Sequence, residues 1–397
     1  MSAELQDRRR WIALAVIVAA QFMVVLDVAI VNVALPSIKT DLHFTQESLQ
    51  WVITAYSILF GGVLLGGALT SAFSWSWIFF INVPAGLIVL AVTPWLLRES
   101  RAELDHRHFD TAGAASITSG LMLLVYAMTR ATQHGWGTLE TIGLLAASAA
   151  LIVGFVVIEL RSKAPLLPMS IFRLRTLAAS NISGLLLAAA VFSQFFLLTL
   201  YMQQVLHYSA LKTGVAYVAL TLSIIGFSAV SQALATRIGI RRVLPIGMLL
   251  SAAGLVLYAQ LPVHGHYFWD LFPAFLLSGI GLALAFVPMS IGALTGVRQS
   301  EAGIASGLIN TSQQIGGAIG VAAATTIATT FTTHYVHAHA GASALGGGAL
   351  THGFQITFYV LAALAVVGAV VAGFLTESKP PVEEGVGIDR ELVLEAA

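Results

Sequence analysis

Eleven apolar segments, each long enough to cross a lipid bilayer as a helix, dominate the sequence. A membrane-spanning helix needs about 20 mostly apolar residues. Only 10% of the 397 residues are charged, whereas a soluble chain carries about a quarter, so most of the surface must face lipid. The pattern excludes a soluble enzyme and a nucleic-acid-binding protein. It predicts an all-α, polytopic membrane helix bundle with segments at roughly 11–35, 49–71, 76–97, 111–130, 139–160, 176–203, 211–236, 242–262, 268–296, 303–332 and 354–376.

Lysine and arginine mark one side of this bundle. Sixteen of the 19 lie in the N-terminal tail, in every second connection or in the C-terminal tail, and the exceptions are Lys39, Arg130 and Lys212. Because cytoplasmic connections carry the excess of Lys and Arg, we predict a multi-pass protein of the plasma (inner) membrane with a cytoplasmic C-terminus. An odd number of crossings places the two termini on opposite sides of the membrane, so eleven crossings cannot join two cytoplasmic termini. Segment 49–71 therefore re-enters and returns, or the N-terminus is inverted, or the topology is frustrated.

Five stretches, taken in order, resemble one transporter family. They are Leu26–Pro36, Leu49–Tyr56, Ser74–Pro84, Ala233–Arg242 and Gly303–Gly317. Together they resemble the fourteen-span drug:proton antiporter branch of the major facilitator superfamily. The resemblance covers nearly the whole chain, with Thr236 at a position where the family usually has an Asp. It implies a bundle of two halves that rock around a central cavity, with proton exchange as the energy source.

The chain departs from the family between Tyr56 and Trp75, where the family has about one hundred more residues. An internal deletion of about three helices explains both this gap and the odd number of segments. The resemblance then divides the chain into an incomplete N-terminal half (1–97), two central linker helices (98–163), a C-terminal six-helix half (164–376) and a cytoplasmic tail (377–397).

Asp27 is the clearest carboxylate within an apolar segment. Ionisable side chains inside a membrane are costly and usually face a polar cavity. The resemblance implies that Asp27 couples transport to protons. The alternative is a structural acid that bonds to a neighbour near the outer end of the helix.

Polar residues recur on single faces of three segments. Gln21 and Asn32 share one face of the first segment at helical spacing. Gln194, Tyr201 and Gln204 share a face of segment 176–203, and Asn310, Gln313 and Gln314 share a face of segment 303–332. These residues either line a substrate cavity or join helices through hydrogen bonds. Glycines on segment 303–332 are expected at close helix contacts, namely Gly307, Gly316, Gly317 and Gly320.

Two further groups lie in connections. Arg237 and Arg241, with Arg242, either grip a neighbouring helix at a cytoplasmic gate or only anchor the topology. His334, His337 and His339, with His352, crowd one outer connection that also contains three consecutive glycines. Such a flexible loop does not hold ligands in fixed geometry, so we predict no metal site.

The leading hypothesis is a transporter that exports hydrophobic or cationic small molecules in exchange for protons. It needs the lipid bilayer, a proton gradient and no bound cofactor, and the sequence has no nucleotide-binding P-loop. The proton would be carried by Asp27, the cavity lined by Gln21, Asn32, Gln194, Tyr201, Asn310 and Gln314, and the gate formed by Arg237 and Arg241. The alternatives are a non-functional truncated transporter and a homodimer in which two C-terminal halves face each other.

Overall fold

The computed structural model describes residues 110–162, 167, 169–298, 301–339, 343–344 and 346–377. All regular structure in these ranges is helical. The α-helices, numbered in chain order, are α1 (Thr111–His134), α2 (Leu139–Arg161), α3 (Arg175–Leu200), α4 (Ala210–Ala216), α5 (Val218–Ile238), α6 (Ile240–Tyr258), α7 (Phe272–Leu294), α8 (Ala302–Ala338) and α9 (Gly347–Leu375). A 3-10 turn at Met169–Arg173 precedes α3, a π-helical turn at Tyr201–Val205 follows it, and a second at Tyr267–Leu271 precedes α7.

Eight helical stretches in these ranges are long and apolar enough to cross a membrane. They correspond to the last eight predicted segments, so the all-α, polytopic fold is confirmed for this part of the chain. The first three segments, the incomplete N-terminal half and the return of segment 49–71 lie outside the described residues. The division of the chain into four parts stays a prediction.

Segment 211–236 is not one helix, because it breaks at Tyr217 between α4 and α5. The Tyr217 hydroxyl lies 3.0 Å from Thr199 Oγ1 and donates to the Phe195 carbonyl at 2.9 Å. These contacts with α3 fix the break from outside the segment. Hydropathy alone therefore could not place it.

Helix α3 forms the centre of the C-terminal helices. It packs against α7, α8 and α9, and most of its residues are buried on every side. Helix α5 packs on α7, and α6 packs on both α7 and α9. Helices α1 and α2 form a hairpin, and α1 contacts α8. One apolar core runs through the bundle, and its largest fully buried side chains are Tyr201, Tyr217, Tyr258, Phe196, Phe275 and Phe358.

Helices α3 and α8 approach each other most closely through glycines of α8. A Cβ atom at Gly316 or Gly320 would collide with the backbone of α3 at Leu185 or Ala189, and one at Gly317 would collide with the ring of Phe192. The expected close contacts are confirmed at these three positions. At Gly307 the described residues place no atom within 4 Å of an added Cβ, so the structure shows no close contact there and that expectation stays a prediction.

The two ends of the described bundle carry different cations. One end, here called the arginine end, holds seven of the nine described Lys and Arg residues, namely Arg161, Arg173, Arg175, Arg237, Arg241, Arg242 and Arg298. The opposite end, here called the histidine end, holds Arg130, Lys212 and all eight described histidines, namely His134, His207, His264, His266, His334, His337, His339 and His352. Each helix connection in this part of the chain belongs to one end or the other.

Candidate functional site: a polar face on a membrane-spanning helix

The first half of α8 exposes polar side chains within a membrane span. Ser306, Asn310 and Thr311 are exposed, although they lie inside the apolar stretch Ile304–Ala338. Gln313 and Gln314 continue the strip and are half-buried. Polar side chains in a span usually face a cavity or a partner rather than lipid. This strip, defined by Ser306, Asn310 and Thr311, is here called the α8 polar face.

Gln194 and Tyr201 lie in the packed interior of α3, and both are 1% exposed. Among the described residues, the Gln194 amide nitrogen has no hydrogen-bond partner. The Tyr201 hydroxyl donates to the Pro262 carbonyl at 2.6 Å, so this side chain joins two helix ends. The structure does not bring either residue together with Asn310 at one open surface. Their assignment to a substrate cavity stays a prediction.

Three of the predicted site residues, Gln21, Asp27 and Asn32, lie outside the described residues. Proton coupling by Asp27 and cavity lining by the other two therefore remain predictions.

A polar bridge between α3 and α8 is absent from the sequence-based prediction. Ser312 Oγ donates to Asn181 Oδ1 at 3.0 Å, and Asn181 Nδ2 donates to the Leu177 carbonyl at 2.9 Å. Asn181 is buried. The sequence contains a signal for this bridge in Asn181, because an asparagine within an apolar segment usually forms hydrogen bonds to another helix.

Glu159 is a second carboxylate that the sequence-based prediction missed. It lies near the end of α2 and is 3% exposed. Its Oε2 accepts a hydrogen bond from the Leu167 backbone N–H at 3.2 Å, and its Oε1 has no hydrogen-bond partner within the described part of the chain. Leu167 packs onto a small apolar cluster at the arginine end formed by Ile171, Leu177 and Ala305. The carboxylate therefore fixes the connection between the α1–α2 hairpin and α3.

The two predicted gate arginines differ in their surroundings. Arg237 is exposed at the end of α5. Arg241, in the first turn of α6, donates from Nε to the Gly373 carbonyl at 3.1 Å. That carbonyl lies in the last turn of α9, where a cation also opposes the negative end of the helix dipole. Arg241 thus joins α6 to α9, and the role of both residues in a gate stays a prediction.

The expectation of a flexible histidine loop is wrong. His334 and His337 lie within α8 and His352 lies within α9, so only His339 follows a helix end. The rings of Tyr335 and His339 are stacked with centroids 4.0 Å apart, and His352 lies 5.2 Å from Tyr335 on the other helix. This packing extends α8 beyond residue 332. No group of three or more potential metal ligands is assembled among the described side chains.

Comparison with known proteins identifies the fold family of these helices. The sequence model of the Major Facilitator Superfamily matches residues 59–321, which is more than half of the chain. The chain belongs to the major facilitator superfamily. As a member of that superfamily it is a multi-pass membrane transporter and not an enzyme.

Several relatives of this major facilitator protein carry names that refer to antibiotics. The puromycin resistance protein of Streptomyces alboniger is 29% identical over 475 residues, covering 96% of this chain and 94% of that protein. The lincomycin resistance protein of Streptomyces lincolnensis is 26% identical, and the alignment covers 80% of this chain and 84% of that protein. The tetracenomycin C resistance and export protein of Streptomyces glaucescens is 34% identical, over 66% of this chain and 48% of that protein. The resemblance to drug-efflux members of the superfamily is thereby confirmed.

Among solved structures, an auto-inhibited peptide transporter of the POT family shares 18% sequence identity and aligns with a TM-score of 0.48. The alignment covers 85% of this chain and 70% of the peptide transporter.

Proposed function

We propose that this chain exports hydrophobic or cationic small molecules from the cytoplasm across the cell membrane in exchange for protons. The α8 polar face supports this proposal most directly. Ser306, Asn310 and Thr311 are exposed on a helix that is otherwise apolar enough to span a membrane. Facing lipid, these groups would lose hydrogen bonds to water without compensation. Facing a cavity at the centre of the membrane, they would bind polar groups of a mostly apolar substrate.

The relatives indicate the substrate class. Three of them are named for resistance to puromycin, lincomycin or tetracenomycin C, and one of these is also named as an export protein. Asp27 would then carry the proton, because it is an acid within an apolar segment. Binding of a proton to Asp27 would shift the equilibrium between two alternating conformations.

The opposing wall of the cavity needs a second element. The alignment with the puromycin resistance protein runs over 475 residues, whereas this chain has 397, so that relative has sequence in the aligned region without a counterpart here. This supports an internal deletion in the N-terminal half.

In major facilitator proteins the two halves are related by an axis along the membrane normal. A second copy of the chain, rotated about such an axis, would place one C-terminal six-helix unit opposite another.

Dye efflux tests the proposal. Cells without their own efflux pumps would express this chain, the same chain with about three helices restored between Tyr56 and Trp75, or the chain with Asn310→Leu. We expect energy-dependent efflux of a hydrophobic cationic dye from the first two strains and a several-fold lower rate from the third. Because Asn310 is exposed, its replacement should leave insertion intact.

A non-transporting truncated protein is the second candidate function. The missing sequence relative to the puromycin resistance protein favours it. Under this alternative only the chain with restored helices would export the dye, although both proteins would be present in the membrane at similar amounts.

A further inference from the structure

A small cavity lies between α3, α8 and α9 at the histidine end. Its volume is about 150 Å³. Phe196, Leu197 and Leu200 of α3 form one wall of the cavity, and Leu350 and Phe354 of α9 form a second. An engineered apolar cavity of roughly 150 Å³ in another protein binds benzene. The space therefore suits one six-membered ring or a short alkyl chain.

The packing of α3 against α8 begins in a tight register toward the arginine end. Three pairs of residues, each 131 positions apart, are in contact there, namely Asn181 with Ser312, Leu185 with Gly316 and Ala189 with Gly320. The residues of α8 in these pairs follow one another by four positions, so they lie on one side of the helix. Over this stretch the two helices touch through backbone atoms.

The same side of α8 carries larger residues beyond Gly320, at Ala324, Ala328 and Thr332. Glycine lets two helix backbones approach most closely, and a side chain in its place keeps them further apart. Ala328 and Leu197, which are also 131 positions apart, both line the cavity. The change from glycine to larger residues along one side of α8 therefore accounts for the space between the helices.

The third wall of the cavity is formed by α8 and carries a row of hydroxyl groups. Thr325, Thr329 and Thr333 line the cavity and follow one another by four positions. Thr325 is 4% exposed, whereas Thr329 and Thr333 are exposed. The row of hydroxyl groups therefore runs from the interior of the cavity to its mouth.

These hydroxyl groups are available to a ligand as acceptors. Thr325 Oγ1 donates to the Val321 carbonyl at 2.8 Å, and Thr333 Oγ1 donates to the Thr329 carbonyl at 2.9 Å. A hydroxyl group has one hydrogen, which these bonds use, and its oxygen keeps lone pairs that accept a hydrogen bond. A ligand that bonds to this wall must therefore supply the hydrogen.

The described residues that line the cavity include no charged side chain. A charged ligand would lose its hydration in the cavity without an opposite charge to compensate for the loss. The lining therefore favours a neutral molecule over an ion.

We propose that this cavity binds a small neutral aromatic molecule with one hydrogen-bond donor, such as a phenol. The ring lies between the apolar walls of α3 and α9, and its hydroxyl group donates to the oxygen of Thr325. Thr329, Thr333 and Ala344, which are exposed in the described part of the chain, form the mouth of the cavity. The site is separate from the α8 polar face near the other end of the same helix, so it does not depend on the proposed transport function.

Binding of fluorinated ligands tests this proposal. Purified full-length protein in nanodiscs would be titrated at pH 7 with fluorobenzene, 4-fluorophenol or 4-fluorobenzoate and followed by ¹⁹F NMR, with empty nanodiscs as the control for partition into lipid. We expect saturable binding of both neutral ligands, about threefold to tenfold tighter for 4-fluorophenol because of its additional hydrogen bond. The anionic 4-fluorobenzoate should show no saturable binding.

Matched threonine variants locate the hydrogen bond. Thr325→Val keeps the shape of the side chain but removes the acceptor, so it should reduce the affinity for 4-fluorophenol to that for fluorobenzene. The affinity for fluorobenzene should not change. Thr326→Val is the control, because Thr326 donates to the Ala322 carbonyl at 3.0 Å in the same way but does not line the cavity. Both neutral ligands should bind to this control as they bind to the unchanged protein.

Two further variants close the cavity. Ala328→Leu fills it from α8 and should abolish binding of both neutral ligands. Ala344→Trp, at an exposed position, covers the mouth without a change in buried packing and should weaken binding at least tenfold. No saturable binding of either neutral ligand, equal affinity for the two, or affinities that Thr325→Val and Ala344→Trp both leave unchanged would overturn the proposal. Binding of 4-fluorobenzoate as tight as that of 4-fluorophenol would also overturn it.

Discussion

The hydroxyl of Tyr201 donates a 2.6 Å hydrogen bond to the carbonyl oxygen of Pro262 and so joins the end of α3 to the connection after α6. The two residues are 61 positions apart in the sequence. Similar bonds join neighbouring ends, because Tyr267 donates to the Ala216 carbonyl at 2.9 Å. Through these bonds the histidine end of the described helices is held together as one unit.

Replacement of Tyr201 by Phe should lower stability. The change keeps the ring but removes one hydrogen bond to the carbonyl of Pro262, an exposed residue, which costs about 0.5–1.5 kcal/mol. A decrease of several degrees in the thermal unfolding midpoint of the detergent-solubilised protein is expected. Tyr359→Phe is the control, because Tyr359 is exposed on α9, and its midpoint should not change.

The same substitution at two glycines of α8 should have opposite effects. Gly320→Ala places a methyl group against the backbone of Ala189, and such overpacking costs about 1–3 kcal/mol. Gly307→Ala meets no atom of the described residues within 4 Å and should stabilise the helix by about 0.5–1 kcal/mol. Unfolding in increasing concentrations of denaturing detergent would measure both. Equal effects of the two changes would contradict the observed α3–α8 contact.

Replacing Arg241 should lower the stability of the protein more than replacing Arg237. Arg241→Gln removes the bond to the Gly373 carbonyl and should cost about 1 kcal/mol, since a cation at a helix C-terminus is also lost. Arg237→Gln removes a cation from the last turn of α5 but no hydrogen bond between described residues, so it should lower the unfolding midpoint less than Arg241→Gln does. If Arg237 acts in a cytoplasmic gate, the second variant should still slow transport several-fold. Normal transport in Arg237→Gln would remove this residue from the gate.

Asp27→Asn should abolish proton-coupled export and leave membrane insertion intact. The amide keeps the size of the side chain but cannot release a proton. Proteoliposomes with an imposed pH gradient would report dye transport, and an antibody against a C-terminal tag would report the amount inserted. Asp41→Asn is a suitable control, because Asp41 lies outside the first apolar segment. Full transport by Asp27→Asn at neutral pH would exclude Asp27 as the proton carrier.

Residues 37–75 should begin and end on the same side of the membrane. The chain has no cysteine, so single cysteines can be introduced at Ser2, Thr40, Ser100 and Ser378. A membrane-impermeant thiol reagent added to intact cells should label only the Thr40 position. Labelling at Ser100 and Ser378 would show that segment 49–71 crosses the membrane and that the rest of the chain is inverted. Labelling at Ser2 would show an inverted N-terminus.

The length and apolarity of each segment were sufficient to predict the described helices, because a span must satisfy its own backbone hydrogen bonds within lipid. The break at Tyr217 could not be predicted, since it depends on Thr199 and Phe195 of another helix. Helical spacing predicted one face for Gln194 and Tyr201, but α3 is buried on nearly all sides, so spacing could not indicate whether that face meets a cavity or the core.

Glycine-rich composition gave the wrong expectation for the histidines. Gly346 is the N-cap of α9 and Gly347 and Gly348 are its first residues, and Tyr335 packs between His339 and His352 instead of moving with a loop. The cavity role of Asn310 and Gln314 stays a prediction. Their shared face is present on α8, with Asn310 exposed and Gln314 half-buried, but the element opposite them depends on residues 1–109 or on a second copy.

The division of the cations between the two ends bears on how the chain is inserted during its synthesis. An arginine stays charged in every environment, so its connection resists translocation across the bilayer. The histidine end holds only two of the nine described Lys and Arg residues, so it scarcely opposes the orienting signal of the arginine end. Replacing its eight described histidines with lysine would add eight permanent positive charges at that end and remove the signal that orients the chain.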